Sequence, residues 1–166
     1  MKPGSRFWPP GRLATQGQMV EGVPMSYDER LRVLYIEDNR DSSEMIKLIL
    51  GLSGIAVESA ATAGEAIERA GSERFDLYLL DSGLPDGSGM ALCRTLRVID
   101  PRIPVLFYSA NAHVDDIERG MAAGAAGYIT KPNSDKLAAS IIQLATNYRE
   151  RRRPAFRDHR ILGAAA

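Results

Sequence analysis

The chain has 166 residues, 45% apolar and 25% charged, with 21 basic and 21 acidic residues balancing to zero net charge. That length holds one domain of ordinary size with tails. A single cysteine, Cys93, excludes an internal disulfide and any multi-cysteine metal site, and no apolar run reaches membrane-spanning length.

Residues 1–30 contain Pro3, Gly4, Pro9, Pro10, Gly11, Gly17, Gly22 and Pro24 with no apolar period. They read as a disordered or loosely attached leader. Phe7-Trp8-Pro9-Pro10 offers a partner-docking motif, but an unstructured leader is the simpler reading. Met25, just ahead of the first strand, is a candidate natural start. The N-terminus lacks the continuous apolar core of a signal peptide. With one cysteine, the composition suits a reducing cytoplasm.

Five βα units follow over residues 31–148. Leu31 to Ile36 is an apolar strand broken by Arg32, and it ends in Glu37-Asp38. A helix from about Asp41 to Ser53 places Met45, Leu48, Ile49 and Leu52 on one face, and Gly54 stops it. Ile55 to Glu58 is a short second strand. Thr62 and Glu65 have capping-box spacing for a second helix. Leu77 to Leu80 is a buried third strand that ends abruptly in Asp81, before a tight loop of Gly83, Pro85, Asp86, Gly87 and Gly89. The third helix carries Met90, Cys93, Leu96 and Ile99, and its apolar setting gives Cys93 a structural role. Val105 to Tyr108 is the fourth strand. The fourth helix carries Val114, Ile117 and Met121, and the small residues Ala122 to Gly127 after it lower the cost of moving it. Tyr128-Ile129 is the fifth strand. The last helix, about Ser134 to Tyr148, shows Leu137, Ile141, Leu144, Ala145 and Tyr148 at helical spacing.

Charge is unevenly placed along this order. Residues 31–148 hold eleven basic and sixteen acidic residues, whereas residues 149–160 hold six arginines against two acids. The acidic domain therefore ends in a basic tail, 149–166. Arginines near a helix C-terminus suit the macrodipole. No DNA-reading element fits in the twelve residues from Ala155 onward, so direct nucleic-acid binding is not expected.

Strands alternating with helices of this length predict a parallel sheet covered on both faces. All strands then end on one edge, where open α/β sheets bind ligands. That edge collects Glu37 and Asp38, Asp81, Ser109, and Thr130-Lys131-Pro132. Three neighbouring carboxylates call for a cation. Hard oxygen ligands suit Mg²⁺, and a hydroxyl with an ammonium beside it suits a phosphoryl group.

Taken together these motifs resemble the receiver domain of two-component response regulators. The acidic pair after strand one, Asp-x-x-Leu-Pro-Asp-Gly-x-Gly at 81–89, Ser-Ala after strand four and Lys-Pro after strand five occur in order over residues 31–148. The resemblance implies a doubly wound (βα)5 flavodoxin-like fold with strand order 2-1-3-4-5. It implies that Asp81 is the phosphoacceptor, that Glu37, Asp38 and Asp81 hold Mg²⁺ with the Gly83 carbonyl, and that Lys131 pairs with the phosphoryl oxygens. Ser109 resembles the switch hydroxyl and Tyr128 the aromatic that moves with it. The Lys131–Pro132 bond is expected to be cis. Ser109 stands where Thr is commoner, Leu84 where many relatives have Met, and Gly83 is unusually small beside the nucleophile.

The implied function is a stand-alone receiver, not an enzyme acting on other substrates, phosphorylated by a sensor histidine kinase or a histidine phosphotransfer protein. It signals to an output protein through the face of helix four, strand five and helix five. The alternatives are a phosphorylation-independent interaction domain and the receiver part of a longer regulator. A flavodoxin-type site is disfavoured because Glu37-Asp38 repels phosphate. A haloacid-dehalogenase-type phosphatase needs an Asp at position 83. Singly, Asp81 and Asp38 read as caps, Lys131 as a surface lysine and Ser109 as a loop serine; together those readings need four coincidences on one edge. His113 and His159 have no context for phosphotransfer or metal binding.

Overall fold

Residues 30–152 are described in the computed structural model. The leader, the Met25 start and the tail from Arg153, with His159, lie outside them. The first strand, β1 (Leu31–Ile36), pairs in parallel with β2 (Ile55–Ala60) on one side and β3 (Leu77–Leu80) on the other. Strands β4 (Val105–Ser109) and β5 (Gly127–Thr130) extend the sheet to the order β2-β1-β3-β4-β5. This is the expected doubly wound order. Residues 83–84 and 87–88 add a small antiparallel hairpin after β3.

Period-2 alternation splits the buried strand residues between two cores. Val33, Tyr35, Leu77, Leu79, Leu106 and Tyr108 face α1 (Arg40–Leu52) and α5 (Ser134–Arg152). Leu34, Ile36, Tyr78, Leu80, Val105 and Phe107 face the other side. There they meet α2 (Ala63–Ser72), α3 (Gly89–Ile99) and the segment after α4 (Val114–Ala122). Each fully buried Leu or Ile contributes roughly 1.5–3 kcal/mol.

Two helices turn a different face inward from the one read in the sequence. In α1 the buried residues are Ser43, Ile46 and Leu50. Met45, Leu48 and Leu52 are 56%, 72% and 89% exposed. The helix carries two apolar stripes, and packing on the sheet selects the one that meets Val33 and Tyr35. In α4, Val114 and Met121 are exposed and Gly120 is the buried residue. A Cβ there would lie 3.1 Å from the Tyr128 ring and 3.2 Å from the Phe107 ring. Ile99 of α3 is also exposed, while Leu92 joins Cys93 and Leu96 inside.

Caps and clamps set the ends. Asn39, not Asp38, caps α1, its side chain accepting from Ser42 N–H at 2.8 Å. Thr62 accepts from Glu65 N–H, and Glu65 reaches back to Ala61 N–H. Asp86 bonds the N–H groups of Ala63 and Gly64, tying the loop after β3 to the start of α2. Helix α5 runs on past Tyr148, because Arg149 grips the buried Asp76 carboxylate with Nε and Nη2, each at 2.7 Å. The Lys131–Pro132 bond is cis, as expected.

Candidate functional site

Register builds the site. Ile36 pairs with Leu80, so Glu37 and Asp81 leave their strands side by side. The ladder continues one step through Glu37 N–H to Ala60 O and Asp81 N–H to Ile36 O, both 3.0 Å. Ser109 pairs with Thr130, and Lys131 N–H donates to Ser109 O at 2.9 Å. Four strand ends thus deliver Glu37, Asp81, Ser109 and Lys131 to one edge.

Lys131 Nζ sits between two carboxylates. It donates to Asp81 Oδ2 at 2.7 Å and to Glu37 Oε2. Glu37 is 4% exposed and accepts two further bonds, from Tyr35 Oη–H at 2.8 Å and Asn39 N–H at 3.1 Å. Asp38 is exposed and forms no hydrogen bond or ion pair among the described residues. Gly83 N–H lies 3.3 Å from Asp81 Oδ1, and a Cβ on Gly83 would meet nothing within 4 Å.

The electrostatics follow from these contacts. Burial pushes the Asp81 pKa up, but the Lys131 ammonium and Gly83 N–H outweigh it and hold Asp81 below the ordinary 3.8. Burial pulls Lys131 down, and its bonds to Asp81 and Glu37 outweigh that and hold it above the ordinary 10.5. At neutral pH the pair is therefore a carboxylate and an ammonium. Burial, then the Glu37 bond, raises Tyr35 far above an ordinary phenol, so Tyr35 stays a donor.

Ser109 is fully buried. Its Oγ lies 2.6 Å from Ser82 Oγ. Tyr128 is half-buried, stacked on Phe107 with ring centroids 5.5 Å apart, and its hydroxyl donates to Asn111 O at 2.9 Å. Asn111 also donates its N–H to Ser109 Oγ at 3.3 Å and its Nδ2 to Ser82 Oγ at 3.1 Å.

Sequence reasoning missed Tyr35 and Ser82. Tyr35 stands two residues before Glu37, on the same strand face, and that period was the available signal. Ser82 was hidden in a run read as loop. Among the described residues, no three His, Cys, Asp or Glu side chains close into a metal cluster; Lys131 neutralises Glu37 and Asp81 instead. Asp38, exposed and next to Glu37 in the chain, and the Gly83 carbonyl are the remaining hard-oxygen groups of the set expected for Mg²⁺.

Comparison with known proteins agrees with this geometry. Residues 33–142 match the response regulator receiver domain family. The cell cycle transcriptional regulator CtrA of Caulobacter vibrioides is 36% identical over 112 residues, 67% of this chain and 48% of that protein. The cell cycle response regulator CtrA of Brucella ovis is 38% identical over the same length and shares. The chain thus spans about half the length of these relatives. A CheY-like receiver domain protein from Methanospirillum hungatei superposes with a TM-score of 0.69 at 30% identity, covering 74% of this chain and 99% of that one. The fold, the matched residues and these similarities place the chain in the response regulator receiver domain family.

Proposed function

We propose that this domain takes a phosphoryl group from a phosphohistidine onto Asp81 and signals through a changed protein-binding surface. The observation that carries the reading is the Lys131 ammonium held 2.7 Å from a buried-edge carboxylate that stays ionised. An Asp81 oxygen attacks phosphorus, the P–N bond breaks, and the donor histidine, already protonated on its other ring nitrogen, leaves as neutral imidazole. Lys131 moves with the new charge, from carboxylate oxygens to phosphoryl oxygens. Glu37, Asp38, Asp81 and the Gly83 carbonyl would hold Mg²⁺, the set that the resemblance implies. The ion, when bound, neutralises phosphoryl charge during transfer. On this reading the protein catalyses only its own phosphorylation and dephosphorylation.

The donor is a sensor histidine kinase or a histidine phosphotransfer protein. It must reach the open edge, and α1 beside that edge exposes Met45, Leu48 and Leu52 for apolar contact. The output partner is placed on the face of α4, β5 and α5. Asn111 supports this, since it joins Ser109 to Tyr128 through its N–H and C=O. Helix α4 meets the Phe107 and Tyr128 rings through Gly120, so movement of Tyr128 is felt directly by its backbone. Because the matched 112 residues are 48% of a relative that carries the same domain, action as the receiver of a longer regulator is the second reading. No helix among the described residues is long and apolar enough to cross a membrane.

Incubation with acetyl phosphate tests the proposal. Mg²⁺-dependent phosphorylation supports it, and no uptake with Mg²⁺ present leaves a phosphorylation-independent interaction domain instead.

A further inference from the structure

The hydroxyl of Ser82 is a nearly buried polar group at the site that the receiver chemistry does not use. Ser82 follows the phosphoacceptor directly and is 8% exposed. Its Oγ lies 2.6 Å from Ser109 Oγ, 3.1 Å from Asn111 Nδ2 and 3.5 Å from Asp81 Oδ1. Asn111 donates to both hydroxyl oxygens, through its N–H to Ser109 Oγ and its Nδ2 to Ser82 Oγ. Either hydroxyl can donate in the 2.6 Å contact between them, and whichever does, the two are paired with each other. Asn111, Ser109, Ser82 and Asp81 thus form one connected run of polar contacts.

We propose that Ser82 is a positioning residue that holds the Ser109 hydroxyl away from the phosphoryl position until phosphorylation displaces it. The inference rests on the receiver reading above. Turning Ser109 toward a phosphoryl oxygen breaks the Ser109–Ser82 bond. A bond to an anionic phosphoryl oxygen is roughly twice as strong as one between neutral hydroxyls. Phosphorylation therefore wins, but against an opposing bond. Asn111 ties the opposing bond to the output face, because the residue that donates to Ser82 and Ser109 also accepts from Tyr128. When Ser109 leaves Ser82, the Asn111 loop and the Tyr128 hydroxyl lose part of what fixes them.

The test is calorimetric affinity of the full chain for beryllofluoride with Mg²⁺, a phosphoryl mimic. Ser82→Ala should bind it about three- to tenfold more tightly, the range set by one net neutral hydrogen bond. Ser82→Thr, which keeps the hydroxyl, should restore wild-type affinity. In a Ser109→Ala background the Ser82→Ala effect should vanish, because the two residues act as one pair. Asn111→Ala loosens the same hydroxyl from the exposed loop, and a smaller gain is expected there if Ser82→Ala folds poorly. A space-filling role would lower thermal stability and leave the affinity alone. Unchanged affinity in both Ser82→Ala and Asn111→Ala, or a Ser82→Ala gain that persists without Ser109, overturns the latch and leaves the receiver function standing. A wild-type protein that binds no beryllofluoride overturns both.

Discussion

Lys131 Nζ lies 2.7 Å from Asp81 Oδ2 and bonds Glu37 Oε2 on its other side, so one ammonium joins the ends of β5, β3 and β1. The folded pKa of Asp81 is lowered, so its stabilising contribution is present above the ordinary 3.8 and is lost as pH falls through the folded value. The folded pKa of Lys131 is raised, so its contribution is full below the ordinary 10.5 and is lost as pH rises through the folded value. Between these limits the pair should give a flat stability profile. Lys131→Ala leaves two adjacent carboxylates, one of them buried, and should cost about 3 kcal/mol at pH 7. The sign then reverses: unpaired carboxylates have raised pKa values, and the variant should gain stability from pH 7 to pH 5. Urea titrations at both pH values check this; a variant with the wild-type slope contradicts it.

Gly89 opens α3 directly beneath Asp81. A Cβ there would sit 2.2 Å from Asp81 O and 2.9 Å from the Phe107 ring. Gly89→Ala must displace the backbone of Asp81, and overpacking of this kind costs about 1–3 kcal/mol. Both the urea midpoint and the rate of labelling by acetyl phosphate should fall. An unchanged midpoint would show that the loop yields freely.

Gly83 leaves open space beside Asp81. Water should reach the acyl phosphate readily, and Gly83→Leu should lengthen its lifetime severalfold by screening it. Following loss of label after removal of acetyl phosphate measures this. Equal or faster loss in the variant would sink the steric argument.

The exposed stripe on α1 separates protein donors from small ones. Leu48→Asp puts a charge into the proposed docking surface while leaving the buried face of Ile46 and Leu50 intact. Transfer from a cognate histidine kinase should fall at least tenfold, with labelling by acetyl phosphate unchanged. Equal loss with both donors would place the defect in the fold.

Much of this site was legible in the sequence because parallel βα units force every strand end onto one edge. Asp81, Lys131, Ser109 and Glu37 needed only their strand to be identified. The stripe that α1 buries was not legible. Met45, Ile46, Leu48, Ile49, Leu50 and Leu52 satisfy two helical faces, and only contact with Val33 and Tyr35 selects between them. Arg149 read as part of a solvated basic tail, since a bidentate grip on Asp76, 73 residues away, leaves no local trace. Ser82 escaped for a similar reason. Its meaning lies in the 2.6 Å contact with Ser109 on a different strand end, which spacing along the chain does not encode.

On the proposed function, Asp81 carries the phosphoryl group. Borohydride reduces an aspartyl phosphate to homoserine, which marks the residue in peptide mass spectrometry. After treatment with acetyl phosphate and Mg²⁺, the mark should appear at Asp81 in the wild-type protein and nowhere in Asp81→Asn, whose amide keeps the shape but cannot attack phosphorus. A mark at another carboxylate, or phosphorylation that survives in Asp81→Asn, would contradict the account.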